Sequence, residues 1–297
     1  MSRGGDGGGD GAFWFLDPID GTRGFVRGGH YAIGLGRISG GMPSLAAIGC
    51  PTLPEPGGSF GADGVLAPPD QQPIQTPPAG TPAAQAPAAA APGTGLPLTA
   101  EPSGFFSEPS GFLFGAWSGG PAMMMPLSEA EALCASASPA DTDWEGCMRL
   151  VVPPQPATLT PPLCVVESFA GEQCAHRFRC FGGECGGAGG ERTSPSGITF
   201  LRLDSMAKYC LVAQGTADAF VRAPLSQSEH IWDHAAALVV GAAGGRVTDF
   251  DGAALDFSLG RGLSANRGIL ATSASAPSWL HDEMLRCAPE ACPSGPF

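Results

Sequence analysis

The chain has 297 residues, 43% of them hydrophobic, enough for one large domain or two ordinary ones with a genuine core. Its formal charge is −13, from 15 basic and 28 acidic residues, and no basic patch is visible, which excludes the usual nucleic-acid polymer binder. No apolar run reaches the roughly 18 residues that span a membrane, and the Gly-rich opening has neither the apolar core of a signal peptide nor the Arg/Ser-rich character of a transit peptide.

Residues 1–11 read as a flexible tail. From residue 13 to 53 the chain is dense in apolar residues and glycine. Tyr31–Ile38 and Ser44–Ile48 read as two strands joined by the Gly40-Gly41 turn. Between about 54 and 109 the sequence turns to Pro, Ala, Gly, Thr and Gln, which bury too little apolar surface to offset ordering entropy; a disordered insert is predicted. Order resumes at Gly111, where apolar runs flank Ser118-Gly119-Gly120-Pro121 as in a hairpin. Residues 128–162 are mixed, with one strand expected at Met148–Val152. Cys164–Glu167 reads as a short strand, followed by a Gly/Cys-rich insert at about 174–197.

Ser205–Ala213 reads as a helix continuing into a strand, and Ala217–Arg222 as a strand. Asp233–Ala243 reads as an Ala-rich helix with Asp233 as N-cap and Gly244-Gly245 as its C-terminal stop. Val247–Asp249 and Gly268–Thr272 complete the strands. Strands and helices alternate, so the class is α/β or α+β. Ten cysteines occur without a C-x-x-C pair. Cys174, Cys180 and Cys185 are read as free thiols, with a redox switch or metal knuckle as the alternative.

The strongest chemical signal is Asp17-Pro18-Ile19-Asp20-Gly21-Thr22, directly after the apolar Phe13–Leu16. Two carboxylates three positions apart leave a strand together and suit a hard divalent cation. Gly21 lets backbone approach a ligand, and a helix starting there would present N–H groups to a phosphate. Thr22 offers a hydroxyl that aligns a water. Together these suit phosphoryl transfer to water. The same letters also make a plain surface turn. The second signal, Ile231-Trp232-Asp233-His234-Ala235-Ala236 before Gly244-Gly245, admits a simple cap as well.

Taken as a pair, in this order and separation, the two motifs resemble the inositol monophosphatase superfamily of metal-dependent phosphatases. The run FWFLDPIDGTRGFVRGG, the G-C-P-x-L end at 49–53, and the segments 203–224, 229–248 and 255–272 are similar to its 3'(2'),5'-bisphosphate nucleotidase branch. The resemblance implies a layered α-β-α-β-α sandwich: a first α+β lobe over 12–162, incomplete, and an α/β lobe over 163–297. It implies that Asp17, the Ile19 carbonyl, Asp20 and Asp233 hold Mg2+, and that Thr22 and Asp20 serve the attacking water. Gly21 and Thr22 would hold the scissile phosphate, with Asp233 beside it, and Ser205, Lys208 and Arg222 would contact the nucleotide. The implied substrate is adenosine 3',5'-bisphosphate, with its 5'-phosphosulfate relative second. Lithium sensitivity and a place in sulfur metabolism are implied too. The partner is thus a small nucleotide, with no nucleic acid and no membrane, and the chain is read as a monomer; its compartment is left open between the cytoplasm and, where a targeting segment has been lost, an organelle. Rival readings are an inositol polyphosphate 1-phosphatase and a catalytically impaired nucleotide-binding remnant.

Lys208 and Arg222 also admit the plain reading of a solvated helix residue and a strand end. His234 is read as structural, His30 and His176 as surface residues, and Trp14 and Trp232 as core packing. Met123–Met125 is read as a buried strand, and Glu229 and Asp249 as solvated or turn residues. Two departures from the family pattern stand out. The family has a Glu-Glu pair and another Asp upstream of the first motif, whereas eleven residues, mostly Gly, precede Ala12 here. The expectation is a chain lacking part of the metal shell, the base-side carboxylate and helices over one face of the first sheet, with apolar surface exposed. The family's His-Ser-Ser segment is also replaced, after Glu167-Ser168, by Phe169-Ala170-Gly171-Glu172-Gln173-Cys174.

Overall fold

The structure is a computed structural model, and it describes residues 11–26, 28–53, 111–136, 144–153, 163–167, 198–222 and 229–291. Residues 1–10 of the tail and both expected inserts, with His176, Cys174, Cys180 and Cys185, lie outside the described residues.

Six strands form one antiparallel sheet in chain order: β1 (Ala12–Asp20), β2 (Ala32–Ser39), β3 (Met42–Cys50), β4 (Phe112–Trp117), β5 (Ala122–Pro126) and β6 (Arg149–Leu150). Each connection between described neighbours is local where the sequence supplies turn residues. Gly40 and Gly41 sit at φ +58° and +72°, the left-handed region a tight β2–β3 turn requires. The second sheet has the order β10-β11-β9-β7-β8, from β7 (Leu163–Glu167), β8 (Ile198–Arg202), β9 (Ala219–Arg222), β10 (Arg246–Thr248) and β11 (Ile269–Thr272). Here β7 runs parallel to both β8 and β9, while β9–β11 and β10–β11 are antiparallel.

Between the sheets lie the helices Ala207–Ala213 and Ala237–Ala242, which touch each other and strands of both sheets. Their small or slender residues let backbones approach, and one buried cluster from Ile38, Ile48 and Phe114 to Phe220, Val239 and Ile269 results. The helix Leu280–Ala291 covers the far face of the second sheet through Leu280, Met284 and Cys287. The helix Leu127–Ser136 packs on β4 and β5. The layers are therefore α-β-α-β-α, as the resemblance implied.

The alternation of β1 explains what remains open. Phe13 and Phe15 face the core, whereas Trp14 and Leu16 point outward and are each 57% exposed, next to Ile33 at 40% on β2. The reading of Trp14 as core packing is thereby corrected: period-2 alternation sends it to the opposite face from Phe13. The reading of residues 128–162 as mixed missed the helices Leu127–Ser136 and Trp144–Cys147, and β8 and the helix Leu280–Ala291 were not foreseen. After Ala213 the chain turns through Gly215 instead of running on as a strand. His30 is buried, not on the surface, with Nδ1 2.9 Å from the Thr52 hydroxyl.

Candidate active site

The site lies where β1 ends, against the start of the helix Ala207–Ala213, the end of β9 and a single 3-10 turn, Ile231–His234. The β1–β2 register shifts between Asp17 and Asp20, so the Pro18 step is a bulge that turns both carboxylates to one side. Asp17 Oδ1 accepts the Ile19 N–H at 3.1 Å, and the Thr22 hydroxyl donates to the Ile19 carbonyl at 3.2 Å. Asp20 Oδ2 accepts the Met206 N–H, tying the first motif to a segment 186 residues away.

Gly21 is where the two segments meet. At φ +83°, a Cβ there would stand 2.1 Å from the Asp204 carbonyl oxygen, so no other residue fits. Thr22 then opens the five-residue helix Thr22–Val26.

Asp233 completes the constellation, in a way the sequence reading misjudged. It is not a helix N-cap. It sits inside the 3-10 turn, whose own cap residue is His230, and the α-helix begins only at Ala237. Its carboxylate instead faces Asp17 and Asp20, with one oxygen of each within 4.8 Å of the others. Three hard oxygen donors so close form a poor arrangement for three bare anions and a good one for a divalent cation. The electrostatics agree. Burial first, then the neighbouring acids, push Asp20 up to about 7 and Asp233 up to about 6; burial also raises Asp17. These carboxylates therefore call for a cation, and the residues present fit one.

Beside the acids stand Lys208 and Arg222, with Arg23 also on the cavity wall. Lys208 is buried, donates from Nζ to the Leu203 carbonyl at 3.0 Å and lies 5.3 Å from the Phe220 ring centroid. The solvated reading of Lys208 fails because this helix lies between two sheets. Burial pulls its pKa down to about 8, against the pull of Asp20. Arg222, at the end of β9, pairs through Nε with Glu229 at 2.7 Å. Ser205 is buried and its hydroxyl accepts the Ala207 N–H at 3.3 Å. Asp20, Gly21, Thr22, Ser205, Lys208, Arg222 and Asp233 all line one solvent-open cavity of about 230 Å³. Asp17 and the Ile19 carbonyl sit at its acidic edge through the contacts given above.

Sequence reasoning missed several members of this wall. Tyr209, Phe220 and Asp204 line the cavity. Tyr209 lies four residues after Ser205, about one helical turn, so a signal for its proximity to Ser205 was available. Glu229 is not solvated; its side chain is 9% exposed and enclosed by Arg222 and His234. His234 is buried, bonded at Nδ1 to the Tyr209 hydroxyl at 2.8 Å, and also lines the cavity. Trp232 packs partly on the core, with the His230 ring stacked on it at 4.4 Å. Asp249 is a turn anchor, though a buried one, accepting the Asp251 and Ala253 N–H groups.

The model of the inositol monophosphatase family matches residues 2–77 and 186–288. The chain belongs to that family. A 3'(2'),5'-bisphosphate nucleotidase from Emericella nidulans is 35% identical over 288 residues, covering 94% of this chain and 63% of the relative. Curated 3'(2'),5'-bisphosphate nucleotidases similar to it, rice and fission yeast proteins among them, are covered over 57–63% of their length, so this inositol monophosphatase family chain spans about three-fifths of them. Among solved structures, the Thermotoga maritima IMPase aligns with TM-score 0.52 at 17% identity, over 95% of this chain and 70% of that one. The 2'AMP-bound SaIMPase-II aligns with TM-score 0.50 at 14% identity, over 95% and 71%. At such identities the structural likeness speaks for the fold, and it agrees with the layers described above.

Proposed function

We propose that this chain carries a magnesium-dependent phosphomonoesterase site that removes the 3'-phosphate of adenosine 3',5'-bisphosphate, giving AMP and phosphate. The observation that carries this reading is the convergence of Asp17, Asp20 and Asp233 beside the buried Lys208 and Arg222. An acidic pole that wants a metal and a cationic pole that wants an anion, in one cavity, suit an ester with two phosphates. The names of the curated relatives favour the same substrate, and SaIMPase-II, which holds 2'AMP, is a fold relative. The 5'-phosphosulfate analogue offers the same 3'-phosphate and is the second substrate of this proposal, which would link the activity to sulfur metabolism.

Asp17, Asp20, Asp233 and the Ile19 carbonyl would hold the magnesium. When bound, the ion supplies neutralisation of the phosphate ester's charge and a Lewis acid beside the scissile bond. The protein's own groups do the rest. Because the Thr22 hydroxyl donates to the Ile19 carbonyl, its lone pairs remain to accept a hydrogen bond from the attacking water and fix its direction. Asp20, with Oδ2 held by the Met206 N–H, presents its other oxygen to that water's second proton. Gly21 admits the phosphate against backbone. Lys208 and Arg222 orient the rest of the nucleotide.

Phosphate release from adenosine 3',5'-bisphosphate and from inositol 1,4-bisphosphate, with magnesium and with lithium added, tests the reading. Faster turnover of the nucleotide, dependent on magnesium and depressed by lithium, is expected. Preference for the inositol ester, or turnover indifferent to chelation, overturns it. Calorimetry with AMP and magnesium distinguishes a chain that binds without turnover.

A further inference from the structure

The cavity wall contains a buried chain of polar groups that the proposed chemistry does not use. Glu229 Oε1 lies 2.7 Å from Arg222 Nε, an ion-pair contact that is not aligned as a hydrogen bond, and Glu229 Oε2 lies 3.6 Å from His234 Nε2, beyond hydrogen-bond reach. His234 Nδ1 is 2.8 Å from the Tyr209 hydroxyl. Side-chain exposures of 9% for Glu229 and 2% for His234 place these two largely out of water, while Arg222, at 22%, reaches the cavity. The proton positions follow from charge. A carboxylate offers only acceptors, so a hydrogen on the ring nitrogen facing Glu229 is the electrostatically favoured tautomer. Nδ1 then has a lone pair, and the Tyr209 hydroxyl donates to it.

Glu229 is also held by its backbone. The Leu263 N–H donates to the Glu229 carbonyl at 2.8 Å, and nearby the Ile231 N–H donates to the Arg261 carbonyl at 3.1 Å, beside the His230–Gly262 bridge. Tyr209 sits in the helix between the sheets, its ring edge-on to Phe220 at 4.9 Å. A carboxylate fixed at both ends can dictate the direction of a partner, whereas a mobile surface carboxylate cannot.

We infer that Glu229 is a positioning residue, braced by His234 and Tyr209, which grips Arg222 at Nε and so aims its guanidinium at the non-scissile phosphate of a doubly phosphorylated ligand. Nε is the guanidinium nitrogen nearest the main chain, so a partner there sets the plane and direction of the two terminal nitrogens without occupying them. A planar fork aimed in advance meets a phosphate with little further loss of rotamer freedom. The inference rests on the phosphate-ester reading of the cavity, and it assigns specificity for a second phosphate to a residue that touches no ligand.

The test compares the full chain with Glu229→Gln, by phosphate release in saturating magnesium, on adenosine 3',5'-bisphosphate and adenosine 3'-monophosphate. A tenfold or greater loss of kcat/KM on the bisphosphate, carried by KM, with less than twofold change on the monophosphate, is expected. In the Arg222→Lys background the same substitution should add less than twofold. Equal losses on both ligands, or none on either, overturn the inference, because a purely structural role would not discriminate. A second readout covers a variant that fails to fold: 15N NMR of the parent should show a slowly exchanging Arg222 Nε–H, and fast exchange overturns the assignment. Should the parent fail to hydrolyse the bisphosphate, the phosphate-ester reading falls, and the NMR signal alone decides whether Glu229 holds Arg222.

Discussion

Lys208 gives the sharpest test of the cationic pole, because its charge is both buried and titratable near neutrality. Its pKa is drawn down to about 8 by burial, against the attraction of Asp20. At pH 7 about nine-tenths of the side chains are therefore charged, and at pH 9 about one-tenth. A charge-assisted hydrogen bond to a buried partner contributes about 1.5–3 kcal/mol, so Lys208→Met should weaken binding of AMP, which keeps the 5'-phosphate and has no 3'-phosphate to lose, by roughly tenfold to a hundredfold at pH 7. Raising the pH from 7 to 9 should weaken the parent by up to about ninefold and leave the variant flat. The lysine's affinity contribution is present below its folded pKa and disappears above it, so the sign is fixed. Titration calorimetry at saturating magnesium, which keeps the carboxylates ionised, reads both effects. A variant that binds as tightly as the parent at pH 7, or that keeps the same decline toward pH 9, would refute the placement of Lys208 against the ligand.

Other perturbations probe the frame. Gly21→Ala puts a Cβ 2.1 Å from the Asp204 oxygen at a φ of +83°, and should lower stability by about 2 kcal/mol or more while abolishing turnover; a melting curve and a phosphate assay check it. Thr248 Oγ1 donates to the Asp249 carbonyl and so accepts from His281 Nε2, leaving Nδ1 to accept from Thr272. Burial holds His281 down to about 4, so this contribution is complete above pH 6.5 and is lost as the pH falls toward 4. The parent should lose about 2 kcal/mol more stability than His281→Gln over that window in chemical denaturation. Replacing the exposed Trp14 and Leu16 by Lys and Glu should reduce self-association in ultracentrifugation without changing metal affinity, since both face away from the core.

How much of this was legible depended on whether a residue's role is set by local pattern or by distant packing. The strands around Gly40-Gly41 and Ser118–Pro121 could be read because alternation and turn residues are local. The Asp17–Thr22 turn was legible for the same reason, although its bulge was not. Asp233 could be named but not explained: the sequence suggested a cap, and only the 3-10 turn shows the carboxylate facing Asp17. Glu229 looked like a solvent-facing acid in a polar stretch, and nothing nearby in sequence announces that Arg222 and His234 enclose it. Lys208 was ambiguous until the second sheet closed over its helix. The helix Leu127–Ser136 was invisible because its apolar residues do not form a strong stripe; its packing on β4 and β5 is tertiary.

Among the described residues, two clusters of possible metal ligands share Asp233, and charge matching decides between them. One is Asp17, Asp20 and Asp233; the other is Glu229, Asp233 and His234. The second already has its counter-charge, because Arg222 stands 2.7 Å from Glu229, and the pairing with His234 and Arg222 outweighs burial to keep Glu229 below the usual carboxylate range. Asp20 shows the opposite response, raised to about 7 because burial outweighs the help of Lys208 and the Met206 N–H. A divalent ion entering the second cluster must displace a paired guanidinium, whereas in the first it relieves mutual repulsion and releases protons. Asp17→Asn should therefore weaken magnesium or manganese binding at least tenfold, and Glu229→Gln by less than threefold. Proton release on binding, measured by calorimetry in buffers of different ionisation enthalpy, should shrink as the pH rises from 6 to 8. If Glu229→Gln removes metal binding while Asp17→Asn spares it, the ion belongs to the Arg222 side and the division of the cavity into an acidic and a cationic pole is wrong.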